Sequence, residues 1–159
     1  MILLMTSFIL PSIAIAVTVG QIDTFEDGTT QNWLVGLLGA PHPAPPVNVP
    51  TGGPAGLDDN YLLLTAVGGQ GPGNRLSVIN VAQWSGDYIS AGINAITMDM
   101  NNLGSTDLYL RLLFADPLGG PPTNLAFSKD AIFLAAGGGW TSMVFPITSE
   151  ARFNVSSLR

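Results

Sequence analysis

Ile93–Asn101 reads INAITMDMN and Asp107–Ala115 reads DLYLRLLFA, and both stretches alternate side-chain character with a period of two. In the first, Ile96, Met98 and Met100 share one face while Thr97 and Asp99 take the other. In the second, Leu108, Leu110, Leu112 and Phe114 stand together opposite Tyr109, Arg111 and Leu113. Only a strand sends successive side chains to opposite faces, so each stretch predicts a ribbon with one oily side. Asn101-Asn102-Leu103-Gly104-Ser105, between them, tolerates left-handed backbone and predicts a hairpin with a several-residue loop. That pairing places Tyr109 near Asp99 and Arg111 near Thr97 on the outward face. The oily sides must close against a second layer, which two antiparallel sheets supply.

The same reading extends outward in both directions. QIDTFED (21–27) predicts a first short strand ended by Gly28, and QNWLVG (31–36) a second, with Asp27-Gly28-Thr29-Thr30 as the turn between them. From Gly39 to Gly56 the chain is too rich in Pro and Gly for a strand interior, so it predicts a long loop with one edge strand at Val47–Val49. NYLLLTAV (60–67) and RLSVINV (75–81) predict two further strands around a turn-rich loop, GGQGPGN (68–74). QWSGDYISAG (83–92), with Gly at both 86 and 92, has room for one helical turn. Asp130–Ala135 and Trp140–Ile147 predict strands on either side of Gly137-Gly138-Gly139.

Residues 1–16, MILLMTSFILPSIAIA, are almost wholly apolar and end in Ala14-Ile15-Ala16, small residues at the positions a signal peptidase reads. Pro11, Gln21 and Asp23 interrupt the run before the roughly 20 apolar residues a spanning helix needs. A cleaved leader (1–16) and one exported domain (17–159) are expected, with no stable membrane span after cleavage; a buried first strand is the alternative reading of the run. The chain has no cysteine, so an exported domain must be held by hydrophobic burial, strand pairing or bound ions, and at 143 residues burial alone can suffice. Five Lys plus Arg against eleven Asp plus Glu give a net charge of −6 with no basic cluster, which excludes a phosphate-backbone partner such as nucleic acid.

No catalytic set is legible. The single histidine, His42, lies between Pro41 and Pro43, and no nucleophile elbow, metalloprotease, phosphate-loop or dinucleotide signature occurs. Acid pairs can cleave glycosides, but Asp23, Glu26, Asp27, Asp58 and Asp59 have no separation that sequence can fix. The run Asp23-Thr24-Phe25-Glu26-Asp27-Gly28 could offer several oxygens to calcium, or be a solvated acidic turn. Sugar recognition needs aromatic faces beside planar polar groups. Tyr109, Arg111 and Asp99 on the outward ribbon face, with Trp84, Asp87 and Tyr88 in the adjoining loop, are the candidates. An ordinary solvated sheet face and a packed core rim are the alternatives.

The phrases DTFEDGTTQNW, WSGDYISAGINAITMDMNNLGSTDLYLRL and GGGWTSMVFPI, following a leader, resemble bacterial secreted proteins. Their galactose-binding-like or laminin-IV-like domain is a jelly-roll sandwich, often followed by a PEP-CTERM sorting tail. The resemblance spans about Asp23 to Arg159 and rests on turn phrases, without a catalytic signature. It implies an antiparallel two-sheet β-sandwich of jelly-roll type and a non-catalytic extracellular module binding carbohydrate or a cell-envelope or matrix component. It also implies a structural calcium with Asp23, Glu26 and Asp27 as ligands. A structural or adhesive envelope protein without a small ligand is the alternative. Against the family pattern, the chain stops at Val155-Ser156-Ser157-Leu158-Arg159, before the closing strand and sorting tail are expected.

Overall fold

The computed structural model describes residues 16–35, 44–68, 76–115 and 125–147. Residues 1–15, where the leader is expected, His42, residues 69–75, expected as a turn-rich loop, and residues 148–159 lie outside them. The described residues form strands and turns, with no helix among them. Ten short strands occur among the described residues: β1 (Leu34–Val35), β2 (Val47–Val49), β3 (Tyr61–Leu63), β4 (Val78–Ile79), β5 (Ala95–Met100), β6 (Leu108–Leu110), β7 (Leu113–Ala115), β8 (Leu125–Phe127), β9 (Ile132–Leu134) and β10 (Thr141–Pro146).

Every strand pair is antiparallel and the pairs are nested. In the first half β1 pairs with β4 and, inside that, β2 with β3. In the second half β5 pairs with β10, β6 with β9 and β7 with β8. Each half is therefore a ribbon that runs out and returns beside itself. The longest ladder joins β5 to β10 from Thr141↔Met100 to Pro146↔Ala95.

The alternation expected between residues 96 and 114 is present. Ile96 is buried and Met98, Met100, Leu108, Leu110, Leu112 and Phe114 are half-buried, whereas Thr97, Asp99, Tyr109, Arg111 and Leu113 are exposed. Inward residues of two strand pairs share one cluster. Met143, Phe145 and Leu134 form its buried centre, with Met98, Met100, Leu108, Leu110, Leu112 and Ile132 packed around them. Removing these side chains from water is the main force holding the two pairs together.

The expected hairpin between β5 and β6 is corrected by the structure. Asp99 faces Ser142 and Thr97 faces Val144 on β10, while Tyr109 faces Phe133 on β9. The cause is the connection at 101–107, organised by Asn102, the one buried polar residue among those described. Its Nδ2 donates to the Thr106 carbonyl at 2.9 Å and to the Leu134 carbonyl of β9 at 3.3 Å. Its Oδ1 accepts the Gly104 N–H at 3.0 Å, and its own carbonyl accepts the Gly137 N–H at 2.9 Å. Asn102 thus ties the connection to β9 and the turn that follows it, and β6 is delivered beside β9.

Other departures are local. Residues 21–27 form a loop instead of a strand, and β8 was not anticipated. The 83–92 segment holds one helical-type bond, Ala91 N–H to the Asp87 carbonyl at 3.0 Å. The two nested ribbons touch where Trp140, just before β10, donates its indole N–H to the Gly52 carbonyl at 2.9 Å and meets the Tyr61 ring edge-on at 5.4 Å.

Candidate binding surfaces

The loop from Asp23 to Trp33 is held in a shape that its residues would not adopt alone. Phe25, Gln31 and Asn32 have φ of 62°, 48° and 63°, left-handed values that cost a side-chain-bearing residue on the order of 1–2 kcal/mol each. Hydrogen bonds within the loop and from distant elements offset that cost. The Phe25 carbonyl accepts Asn48 Nδ2 at 2.6 Å, Asn60 Nδ2 at 3.1 Å and the Gly28 N–H at 3.0 Å. Asn48, on β2, also donates to the Thr29 carbonyl at 2.9 Å and accepts from Asn60 at 3.3 Å.

Beside this loop Asp23 gathers two tryptophans. Its Oδ2 accepts the indole N–H of Trp33 at 2.7 Å and that of Trp84 at 2.6 Å, and Gln83 Nε2 lies 3.2 Å away. The two indoles are tilted by 44° with centroids 6.3 Å apart. Gln83 donates further to the Gln31 carbonyl at 2.6 Å and accepts from Asn32 at 3.1 Å. Asp23, Asp27, Thr29, Gln31, Asn32 and Gln83 are among the residues lining an open cleft of about 520 Å³.

The three acidic residues expected to hold calcium have separate partners. Asp23 serves the indoles. Glu26 Oε1 accepts the Asn60 N–H at 2.9 Å. Asp27 Oδ1 accepts the Thr29 N–H at 2.8 Å and the Thr29 hydroxyl at 2.9 Å, and these bonds to Thr29 hold its carboxyl below the usual aspartate range. No group of three His, Cys, Asp or Glu side chains converges as a metal site among the described residues.

The six residues expected to meet sugar are divided among three places. Trp84 sits in the Asp23 cluster, and Tyr88 lies just beyond it. The Tyr88 hydroxyl donates to the Trp84 carbonyl at 2.5 Å, its ring packs edge-on against Phe114 at 4.8 Å, and burial pushes its phenol pKa up. Asp87 caps the local turn, accepting from the Ser90 N–H at 3.0 Å, the Ser90 hydroxyl at 2.7 Å and the Ile89 N–H at 3.1 Å; the Ser90 bonds foremost lower its pKa. Asp99 lies exposed on β5 opposite Ser142.

Tyr109 and Arg111 stand on the outward side of the β6–β7 segment. Tyr109 is 72 % exposed and lies across the ladder from Phe133, 50 % exposed, their centroids 5.4 Å apart at 57°. The Arg111 guanidinium is anchored by the Ser128 carbonyl at 2.5 Å and the Lys129 carbonyl at 2.6 Å. Phe133 was missed in the sequence, although the alternation of Ile132-Phe133-Leu134 already set it opposite two inward residues. Gln83 and Trp33, the other partners of Asp23, carried no comparable signal.

No protein-family model, curated protein or solved structure matches the chain. No helix among the described residues is long and apolar enough to cross a membrane.

Proposed function

We propose that this chain is a non-catalytic extracellular binding module, exported by its leader, that takes polysaccharide or another cell-envelope or matrix component on the surface bearing Tyr109 and Phe133. The observation carrying the reading is that aromatic pair, held in register on a two-stranded ladder and left open to water. Aromatic rings bury large apolar area when a partner covers them. The C–H face of a pyranose is a suitable cover, and the anchored Arg111 nearby can meet its hydroxyls. The nested antiparallel pairs and the shared core of β5, β6, β9 and β10 support a jelly-roll type of sandwich as the scaffold.

Affinity electrophoresis through gels containing a panel of polysaccharides tests the reading. Retardation by at least one polysaccharide is expected, lost in Tyr109→Ala and in Phe133→Ala while the unfolding midpoint stays within about 2 °C. Retardation indifferent to both changes refutes the site. No retardation together with self-association favours the structural or adhesive envelope protein. Turnover of chromogenic glycosides that is lost in Glu26→Gln or Asp27→Asn would mark a hydrolase instead.

A further inference from the structure

We propose that Val17 is the first residue of the mature protein and that the turn at Ser85-Gly86 is a built receptor for it, so that the leader can be removed only before the domain closes. The inference rests on the leader included in the proposed function and adds to it the order of events and the receptor.

Val17 is 3 % exposed, although it stands at the boundary between the apolar leader and the domain. Its nitrogen donates to the Ser85 carbonyl at 2.8 Å. Gly86 has a φ of 142°, a conformation that side-chain-bearing residues rarely adopt. The space a Cβ would take there is filled by the Val17 nitrogen at 3.1 Å and Val17 Cγ1 at 3.2 Å, with Ala16 Cβ at 3.5 Å. Further along, Gln21 Nε2 donates to the Gln83 carbonyl at 2.9 Å, and Asp23 accepts from Gln83 and Trp84. Residues 17, 21 and 23 are thus fastened in turn to one short segment, 83–86.

A peptidase needs the scissile backbone extended and reachable. In the closed domain Ala16 is exposed, but the residue just after the Ala16–Val17 bond is buried and its N–H is already bonded, which holds that bond out of the free, extended conformation a peptidase needs. Cleavage breaks the bond between the Ala16 carbonyl carbon and the Val17 nitrogen. Water supplies the new carboxylate oxygen on Ala16 and a proton to the leaving Val17 amine. One N–H of the product ammonium keeps the Ser85 carbonyl as acceptor, and departure of the exposed Ala16 opens the nitrogen to water for the other two.

The test uses the full chain with its leader, purified in detergent, and a leader peptidase as the probe. Cleavage is followed by intact mass, for the denaturant-exposed chain and for the refolded chain. Cutting after Ala16 in the opened chain, and at least tenfold slower cutting in the refolded chain, is expected. Gly86→Val, which fills the space of Val17, restores the fast rate in refolded protein whose tryptophan fluorescence remains native. Equal rates in opened and refolded wild-type chain overturn the receptor while leaving the leader standing. Absence of cutting after Ala16 even in the opened chain overturns the leader itself.

Discussion

Asp23→Ala removes the acceptor on which two indoles and an amide converge, and its cost can be worked from the bonds it breaks. Hydrogen bonds to a charged acceptor contribute about 1.5–3 kcal/mol each, and Asp23 accepts two short ones, from Trp33 at 2.7 Å and Trp84 at 2.6 Å. Both indoles are half-buried, so water recovers part of the loss, while Gln83 keeps its bond to the Gln31 carbonyl. The net cost expected is about 2–4 kcal/mol. With a urea m-value of roughly 1.5 kcal/mol/M, the midpoint falls by about 2 M at unchanged slope. Tryptophan fluorescence follows the transition, because two of the three tryptophans report on this cluster. Asp23→Asn, which keeps a carbonyl oxygen but sets an amide NH2 against that of Gln83, is expected to lose about half as much. A double-mutant cycle with Trp84→Phe should give a coupling of about 1–2 kcal/mol. A midpoint for Asp23→Ala within about 0.5 kcal/mol of wild type, or simple additivity in the cycle, refutes the reasoning.

Other outcomes follow from single features. Asn102→Leu leaves the Thr106 and Leu134 carbonyls and the Gly104 N–H without their partner, so urea unfolding should show a loss of about 2–4 kcal/mol. Gly53→Ala drives a Cβ to 2.5 Å from Asp59 Oδ2 and 2.8 Å from the Asp59 carbonyl, and a lower thermal midpoint is expected. Asp27 and Asp87 have lowered folded-state pKa values, so their contribution to stability is present above the unfolded value, about 4, and fades as pH falls through the folded value. Carboxyl-carbon NMR titration should place both below a free aspartate, and Thr29→Ala and Ser90→Ala should return each towards it. Calcium or a chelator should leave the melting midpoint unchanged. A midpoint raised by several degrees in calcium would show that the Asp23–Asp27 loop rearranges around an ion.

The faces of the strands were legible where period-two alternation met a one-sided core. Ile96 through Met100 and Leu108 through Phe114 took the inward and outward positions their rhythm dictated. The edge strand at Val47–Val49 was legible too, because the prolines around it left room for little else. Neighbour choice was not legible. Alternation says which side of β5 is oily, but the same rhythm serves beside β6 or β10, and the decision lies in Asn102, a loop residue whose partners are distant in sequence. β8 (Leu125–Phe127) is three residues of uniform character with no rhythm to read. QIDTFED looked like a strand by composition, yet Asn48 and Asn60 hold its Phe25 in a left-handed turn.

The candidate surfaces divide in the same way. Tyr109 and Arg111 could be placed outward from their own stretch alone. The exposure of the ring pair depended on β9 arriving alongside. Asp23 was legible as an acid at the head of the domain, but its service to Trp33 and Trp84 spans 61 residues of sequence and follows from tertiary contact alone. That contact commits the Trp84 indole N–H to Asp23, whereas Tyr109 and Phe133 form an open aromatic pair among the described residues.

The nested pairing that sets this surface can be tested by disulfide capture in a chain with no cysteine of its own. Asp99→Cys with Ser142→Cys places two thiols directly across the β5–β10 ladder, within the roughly 4.4–6.8 Å Cα separation a disulfide spans. Asp99→Cys with Tyr109→Cys places them where a local hairpin would bring them together. Mild oxidation of the folded protein should close the first pair and leave the second open. Closure of the second pair and not the first would contradict the account.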